Sequence, residues 1–293
     1  MVYMMIIFIV IVFMLLTRLY LIKKELKRTT HQLKQMNKKI DLTFYDRDLE
    51  KLAIEINHQI DLTKQANAEK QRIENELKQA VANISHDIRT PMTSIIGYVQ
   101  LLESNALSKE EHNEYLHVVK TSALRLKVLL EDFFELSIIE SADYPFKIEN
   151  IKMNNLVIDV LVGFFEEFNL CGIEPGIHIP EEEILIKADP SAVKRVIENL
   201  VNNAVRHSSG NVTIRLDKYP TSVELIISNP ANQLNEHDIL HLFDRFYKAD
   251  QTRMGKGTGL GLSIAKSLML KMNGNLTAEL IEGQLHMKCK WKN

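Results

Sequence analysis

Three short stretches combine residue types that could handle a phosphoryl group. In the first, His86 stands beside Asp87 within NISHDIRTPM. An imidazole can attack through one ring nitrogen near neutral pH. A neighbouring carboxylate that accepts the other ring N–H fixes the tautomer and raises nucleophilicity. The second is the run from Asn199 through Asn203 and Arg206 to His207. Asn199 and Asn203 are four residues apart and share one face of a helix. Amide oxygens suit a partly hydrated Mg²⁺ held by phosphates, and Arg206 lies one turn on, where it can meet phosphate oxygens. The third is Gly255 to Gly261, GKGTGLG, which opens into an apolar helix. Glycines allow backbone N–H groups to approach phosphates, and a helix N-terminus favours anions.

Helices must carry the first two stretches. Leu49, Leu52, Ile56, Ile73, Leu77, Ala80, Ile84 and Ile88 follow three- and four-residue steps, which make a heptad seam. Gln59, Thr63 and Lys70 are polar at seam positions. Such residues cost stability but set register and oligomer state, so a two-stranded coiled coil and a homodimer are expected. The seam continues through Pro91, Ile95, Tyr98 and Leu102. His86 lies off it, towards solvent. Pro91 has no N–H for the carbonyl of Asp87, so a bend is expected at the turn carrying His86. A second helix should start at Ser108 with Glu111 completing a capping box. Val119, Leu126, Leu129, Phe133 and Leu136 form its apolar face. The short 104–107 connection makes the pair an antiparallel hairpin. Two hairpins would form a four-helix bundle.

Residues 146–293 mix helices and strands. Helices are expected over Met153–Phe168, from Asp189–Pro190 to Arg206, and from the glycine loop to Met272. Strands are expected at 184–186, 212–216, 223–227, 275–281 and 284–291. That order predicts an α+β sandwich with helices on one sheet face.

The first sixteen residues are apolar, and Leu19–Ile22 extend the run. That span approaches the roughly 20 residues needed to cross a bilayer. Lys23, Lys24, Lys27, Arg28, Lys34, Lys38 and Lys39 follow it. The positive-inside rule then expects the N-terminus outside and the remainder in the cytoplasm. The expectation is a single-pass cell-membrane protein with no outer sensor domain. A net charge of −2 over 293 residues argues against nucleic acid as partner. Cys171 and Cys289 lack CxxC spacing, so neither zinc nor a disulfide framework is expected.

In this order, the motifs resemble a sensor histidine kinase of a bacterial two-component system. NISHDIRTPMTSIIGY is similar to the family's H box and IENLVNNAVRHS to its N box. HLFDRFYKAD is similar to the F box and GKGTGLGLSIAKSL to the second glycine box. The likeness covers roughly residues 72–293; ahead of it, the apolar run and the heptad seam give a membrane anchor at 1–22 and a cytoplasmic coiled-coil linker at 23–80. The resemblance implies a helical dimerisation and phosphoacceptor hairpin at 81–142, and a Bergerat-type ATP-binding domain at 146–293. It implies ATP and Mg²⁺ as cofactors. A cognate response regulator is the implied partner, and input comes through the membrane helix, the linker or a membrane partner such as a transporter. His86 becomes the phosphoacceptor, Asp87 its acidic partner, and Thr90 the residue that positions water for dephosphorylation. Asn203 becomes the Mg²⁺ ligand. Asn199, Arg206, His207, Asn229, Phe246, Lys248, Gly257, Thr258, Gly259, Leu260 and Gly261 line the nucleotide, with Phe243 and Arg253 in its lid. One box departs from the pattern. The usual Asp-x-Gly-x-Gly reads Asn229–Pro230–Ala231–Asn232–Gln233. That change makes a catalytically dead, kinase-like scaffold the rival reading. A Bergerat ATPase of the chaperone or mismatch-repair type is a second rival, but it lacks an exposed histidine on a dimer hairpin.

Overall fold

The computed structural model describes residues 2–34, 39–41, 47–103, 107–141, 143–208, 210–249 and 257–292. The chain divides into two compact units, Met1–Gln79 and Ala80–Asn293. The 104–106 connection, Arg253 and Gly255 lie outside the described residues.

In the first unit, α1 (Val2–Lys34) continues past the expected anchor into the lysine-rich segment. Among the described residues it is the one helix long and apolar enough to cross a membrane. Ile40 is buried beside the start of α2 (Arg47–Leu102). The Asn57 amide bonds both backbone groups of Ile40, at 2.7 Å and 3.0 Å. The seam of α2 stays bare here, with Leu52, Ile73 and Leu77 each more than half exposed.

In the second unit, α2 continues through Pro91 without interruption, and Pro91 is buried. The Thr90 hydroxyl donates to the carbonyl of His86 at 3.2 Å, one turn back. Helix α3 (Lys109–Glu140) begins at the expected Ser108 cap, with the full Ser108–Glu111 capping box formed. Replacing such a cap by alanine typically costs about 1 kcal/mol. Tyr98 and Tyr115 close the hairpin, their ring centroids 5.3 Å apart. Leu129, Leu136 and Ile139 of α3 are buried, whereas Phe133, expected on the same face, is 37% exposed.

The α+β part departs from expectation at its start. The helix expected over Met153–Phe168 is two: α4 (Met153–Gly163) and α5 (Phe165–Cys171). Phe164 leaves helical geometry between them, at φ −96° and ψ 8°. Gly163 beside it weakens the helix at that point. Two short strands had no sequence signal. β1 (Glu149–Lys152) pairs antiparallel with β3 (Leu185–Ala188), and β2 (Gly176–His178) pairs parallel with β4 (Thr213–Tyr219). Helix α6 (Pro190–His207) starts as expected. The Asp189 carboxylate caps it, accepting from Ala192 N–H at 2.9 Å, and Pro190 occupies the first turn. Such a proline sacrifices no hydrogen bond there.

β5 (Ser222–Pro230), the short α7 (Glu236–His241), α8 (Gly261–Lys271), β6 (Asn275–Ile281) and β7 (Gln284–Lys292) complete the chain. The main sheet runs β2-β4-β5-β7-β6. Buried and exposed residues alternate along β7. Such alternation gives a sheet one packed face and one wet face. Helices α4, α6 and α8 share the buried core with the sheet. Cys289 is inside this core, where burial pushes its thiol well up, while Cys171 is exposed.

Candidate functional site

His86 stands on the exposed side of α2, its side chain 76% accessible. Its Nδ1 lies 3.3 Å from Asp87 Oδ1. This leaves Nε2 pointing to solvent for chemistry. A shallow groove runs along the helix from His86 past Thr90, Ser94 and Tyr98 to Leu101. The second Asp87 oxygen accepts from Lys248 Nζ at 2.6 Å. The α+β domain therefore touches the hairpin beside the histidine.

The N-box residues and the glycine loop meet where α6 packs on α8. Asn199 is buried, and its amide Nδ2 has no partner among the described residues. Its Oδ1 lies so near Gly261 that a Cβ there would come within 2.9 Å. Asn203 follows one turn later and is half-buried; Arg206 and His207 at the helix end are exposed. A Cβ on Gly257 would lie 3.7 Å from Arg206 Nη1, so the arginine borders the loop. Gly259 has φ +72°, and a Cβ would meet the Phe246 backbone at 2.9 Å. Phe246 itself is buried with φ +62°, and its N–H donates to Gly259 O at 2.9 Å. Leu260 is fully buried at the start of α8, which has no side-chain cap. The first N–H groups of that helix are thus available to an anion.

Asn229 sits near the end of β5 and is 1% exposed. Its Nδ2 donates to Pro230 O at 3.1 Å, which leaves Oδ1 buried with no partner among the described residues. A buried acceptor without a donor is costly, by about 1–3 kcal/mol. An adenine amino group is a donor that would satisfy it. Together with the orphaned Asn199 amide and the space kept open by Gly259 and Gly261, these residues fit a Mg-nucleotide.

Two residues expected at the nucleotide are bonded elsewhere. Lys248 pairs with Asp87, and the Thr258 hydroxyl donates to Asp132 Oδ2 at 2.7 Å. Sequence reasoning missed Asp132, Glu135 and Arg195. Arg195 Nη2 reaches Asp132 Oδ1 at 3.0 Å, and Arg195 Nε reaches both Glu135 oxygens. Burial opposes the charge of this guanidinium, but the hydrogen bond and attraction of Glu135, with Asp132, hold its pKa above the usual value. Arg245 likewise bonds Glu140 of α3 at 2.6 Å. Tyr247 donates to Asp238 at 2.7 Å, and burial with that bond pushes its phenol up to about 12. No local pattern marks these partners, which are mostly far apart in sequence.

An exposed histidine on a helical hairpin, contacted by a domain built for a nucleotide, defines a protein histidine kinase. Residues 76–142 match the His Kinase A (phospho-acceptor) domain. Residues 188–287 match the histidine kinase-, DNA gyrase B-, and HSP90-like ATPase family. Sensor histidine kinase YcbM of Bacillus subtilis is 26% identical over 80% of this chain and 77% of its own. Sensor histidine kinase WalK of the same organism is 31% identical over 74% of this chain but 36% of its own. The chain thus spans about three quarters of one curated relative and about a third of the other. The fold of histidine kinase ThkA, solved with response regulator TrrA, superposes with a TM-score of 0.63. That match covers 78% of this chain and 66% of ThkA, at 20% identity. The chain belongs to the sensor histidine kinases of bacterial two-component systems, which are ATP-dependent phosphotransferases.

Proposed function

We propose that His86 takes the γ-phosphoryl group of Mg-ATP and passes it to an aspartate of a cognate response regulator. The observation that carries this reading is the exposed His86 ring held through Nδ1 by Asp87. His86 Nε2 attacks the γ-phosphorus, a P–N bond forms, and the P–O bond to ADP breaks. The Nδ1 proton of the resulting imidazolium is held or taken by Asp87. Asn203 would hold Mg²⁺, which would offset phosphate charge. Arg206, the loop at Gly257–Gly261 and the α8 N-terminus orient the phosphates. Asn199, His207, Phe246 and Leu260 wall the pocket, and Asn229 Oδ1 accepts from the adenine amino group. Thr90 positions water for a separate reaction, hydrolysis of the regulator's acyl phosphate to aspartate and inorganic phosphate.

The bare seam of α2, with Leu52, Ile73 and Leu77 exposed, supports a homodimer through the hairpin and linker. The apolar α1 followed by lysines supports a single-pass anchor with the catalytic part in the cytoplasm. The same division supports an anchor at 1–22, a linker at 23–80, a phosphoacceptor hairpin at 81–142 and an ATP domain at 146–293. Input then comes through α1, the linker or a membrane partner such as a transporter.

The full chain in detergent with γ-labelled ATP should acquire label that is lost in acid and kept in alkali, as a phosphoramidate is. A chain that binds nucleotide yet takes no label would overturn the kinase reading in favour of the scaffold. The orphaned Asn229 acceptor argues against that scaffold. Asn229→Ala should weaken ATP binding about tenfold while leaving GTP binding nearly unchanged, as nucleotide titration would measure. Equal losses for both nucleotides would remove Asn229 from adenine recognition.

A further inference from the structure

Asp132 is reached from two directions. It lies on α3, with its side chain 15% exposed. Oδ1 accepts from Arg195 Nη2, one turn before Asn199 on α6. Oδ2 accepts from the Thr258 hydroxyl, and Thr258 Oγ1 in turn accepts from Leu260 N–H at 3.3 Å, where α8 begins. A single hairpin carboxylate thus grips the glycine loop.

We propose that Asp132 is a positioning residue of the nucleotide site: it holds the Thr258 loop in a form that competes with ATP phosphates. The proposal rests on the nucleotide reading of Gly257–Gly261. A threonine hydroxyl has one proton, so Thr258 cannot donate to Asp132 and to a phosphate together. The carboxylate also brings negative charge towards the first turn of α8, where a phosphate would otherwise find only helix dipole and free N–H groups. Nucleotide binding therefore loosens the grip of α3 on the loop, and by linkage that grip weakens nucleotide binding by the same factor. When Thr258 lets go, Asp132 keeps its bond to Arg195, which also holds Glu135 through Nε and Nη2. No buried charge is stranded by the release, which keeps it inexpensive. The hairpin and the phosphates thus share one loop, and occupancy of the pocket is felt at α3, the helix packed beside the one that carries His86.

The test uses the full chain in detergent and AMPPNP as the probe. Asp132→Asn removes the charge and keeps the size. It should bind AMPPNP at least about fivefold more tightly than wild type. In a Thr258→Val background, Asp132→Asn should have a clearly smaller effect on affinity, because only the charge near α8 is left to remove. AMPPNP should also speed hydrogen exchange of wild-type α3 around Asp132. Unchanged or weaker binding by Asp132→Asn overturns the proposal. So does an effect of the same size in the Thr258→Val background, which would make Asp132 a plain interdomain tie. Wild type that binds no AMPPNP overturns the nucleotide reading and this proposal with it.

Discussion

His86→Gln should bind AMPPNP as tightly as wild type and take no detectable label from γ-labelled ATP. The geometry gives both halves of this result. The His86 side chain is 76% exposed, and among the described residues its one polar contact is to its neighbour Asp87. Removing the ring leaves no buried group unpaired and opens no cavity, so stability should change by less than about 0.5 kcal/mol. What disappears is the nucleophile, and a glutamine amide cannot replace it. Filter-bound label and a parallel nucleotide titration measure the two quantities. Substantial label on the variant would mean that another side chain accepts phosphate. A loss of nucleotide affinity would mean that His86 belongs to the pocket instead.

Gly259→Ala should have the largest effect on nucleotide binding, near a hundredfold. Two costs add. A side chain at φ +72° carries roughly 1–2 kcal/mol of backbone strain. The new Cβ would also sit 2.9 Å from two backbone atoms of Phe246. Backbone cannot swing aside as a side-chain tip does, so the Phe246 N–H to Gly259 O bond must open, costing about 1 kcal/mol more. Gly257→Ala is the natural comparison. Its φ is +101°, so it shares the strain, but its nearest neighbour is the Arg206 guanidinium at 3.7 Å. It should lose less affinity. Equal affinities for Gly259→Ala and wild type would show that the clasp has no part in holding the loop.

Elements whose cause is local were legible from sequence. Ser108 with Glu111, and Asp189 with Pro190, placed two helix starts because caps act within one turn. The heptad steps put His86 on the free side of its helix, and the structure has it there. Features set by distant partners were not legible. β1 and β2 are three or four residues long and form only against β3 and β4. The break at Phe164 depends on packing, since the apolar pattern runs through it. The bend expected at Pro91 has a local cause as well, and α2 runs on through Pro91 as one helix. In the site, residue types marked the pocket, but not which groups would be left unpaired. The bare oxygen of Asn229 follows from the turn of its own amide towards Pro230. The pairing of Thr258 with Asp132 spans 126 positions. No spacing rule reaches that far.

The bond between Phe246 and Gly259 also has a meaning for how this chain can change. It joins the two ends of the intervening segment at one point, with Phe246 buried and Leu260 buried just beyond. Whatever lies between those ends enters and leaves through the same clasp. The entropy of closing such a loop grows only with the logarithm of its length, so doubling it costs about 0.6 kcal/mol. Residues can therefore be added between Lys248 and Gly257 with little penalty to the fold, while the two clasp positions cannot change. Differences in length among related chains should gather inside that interval and stop at its borders.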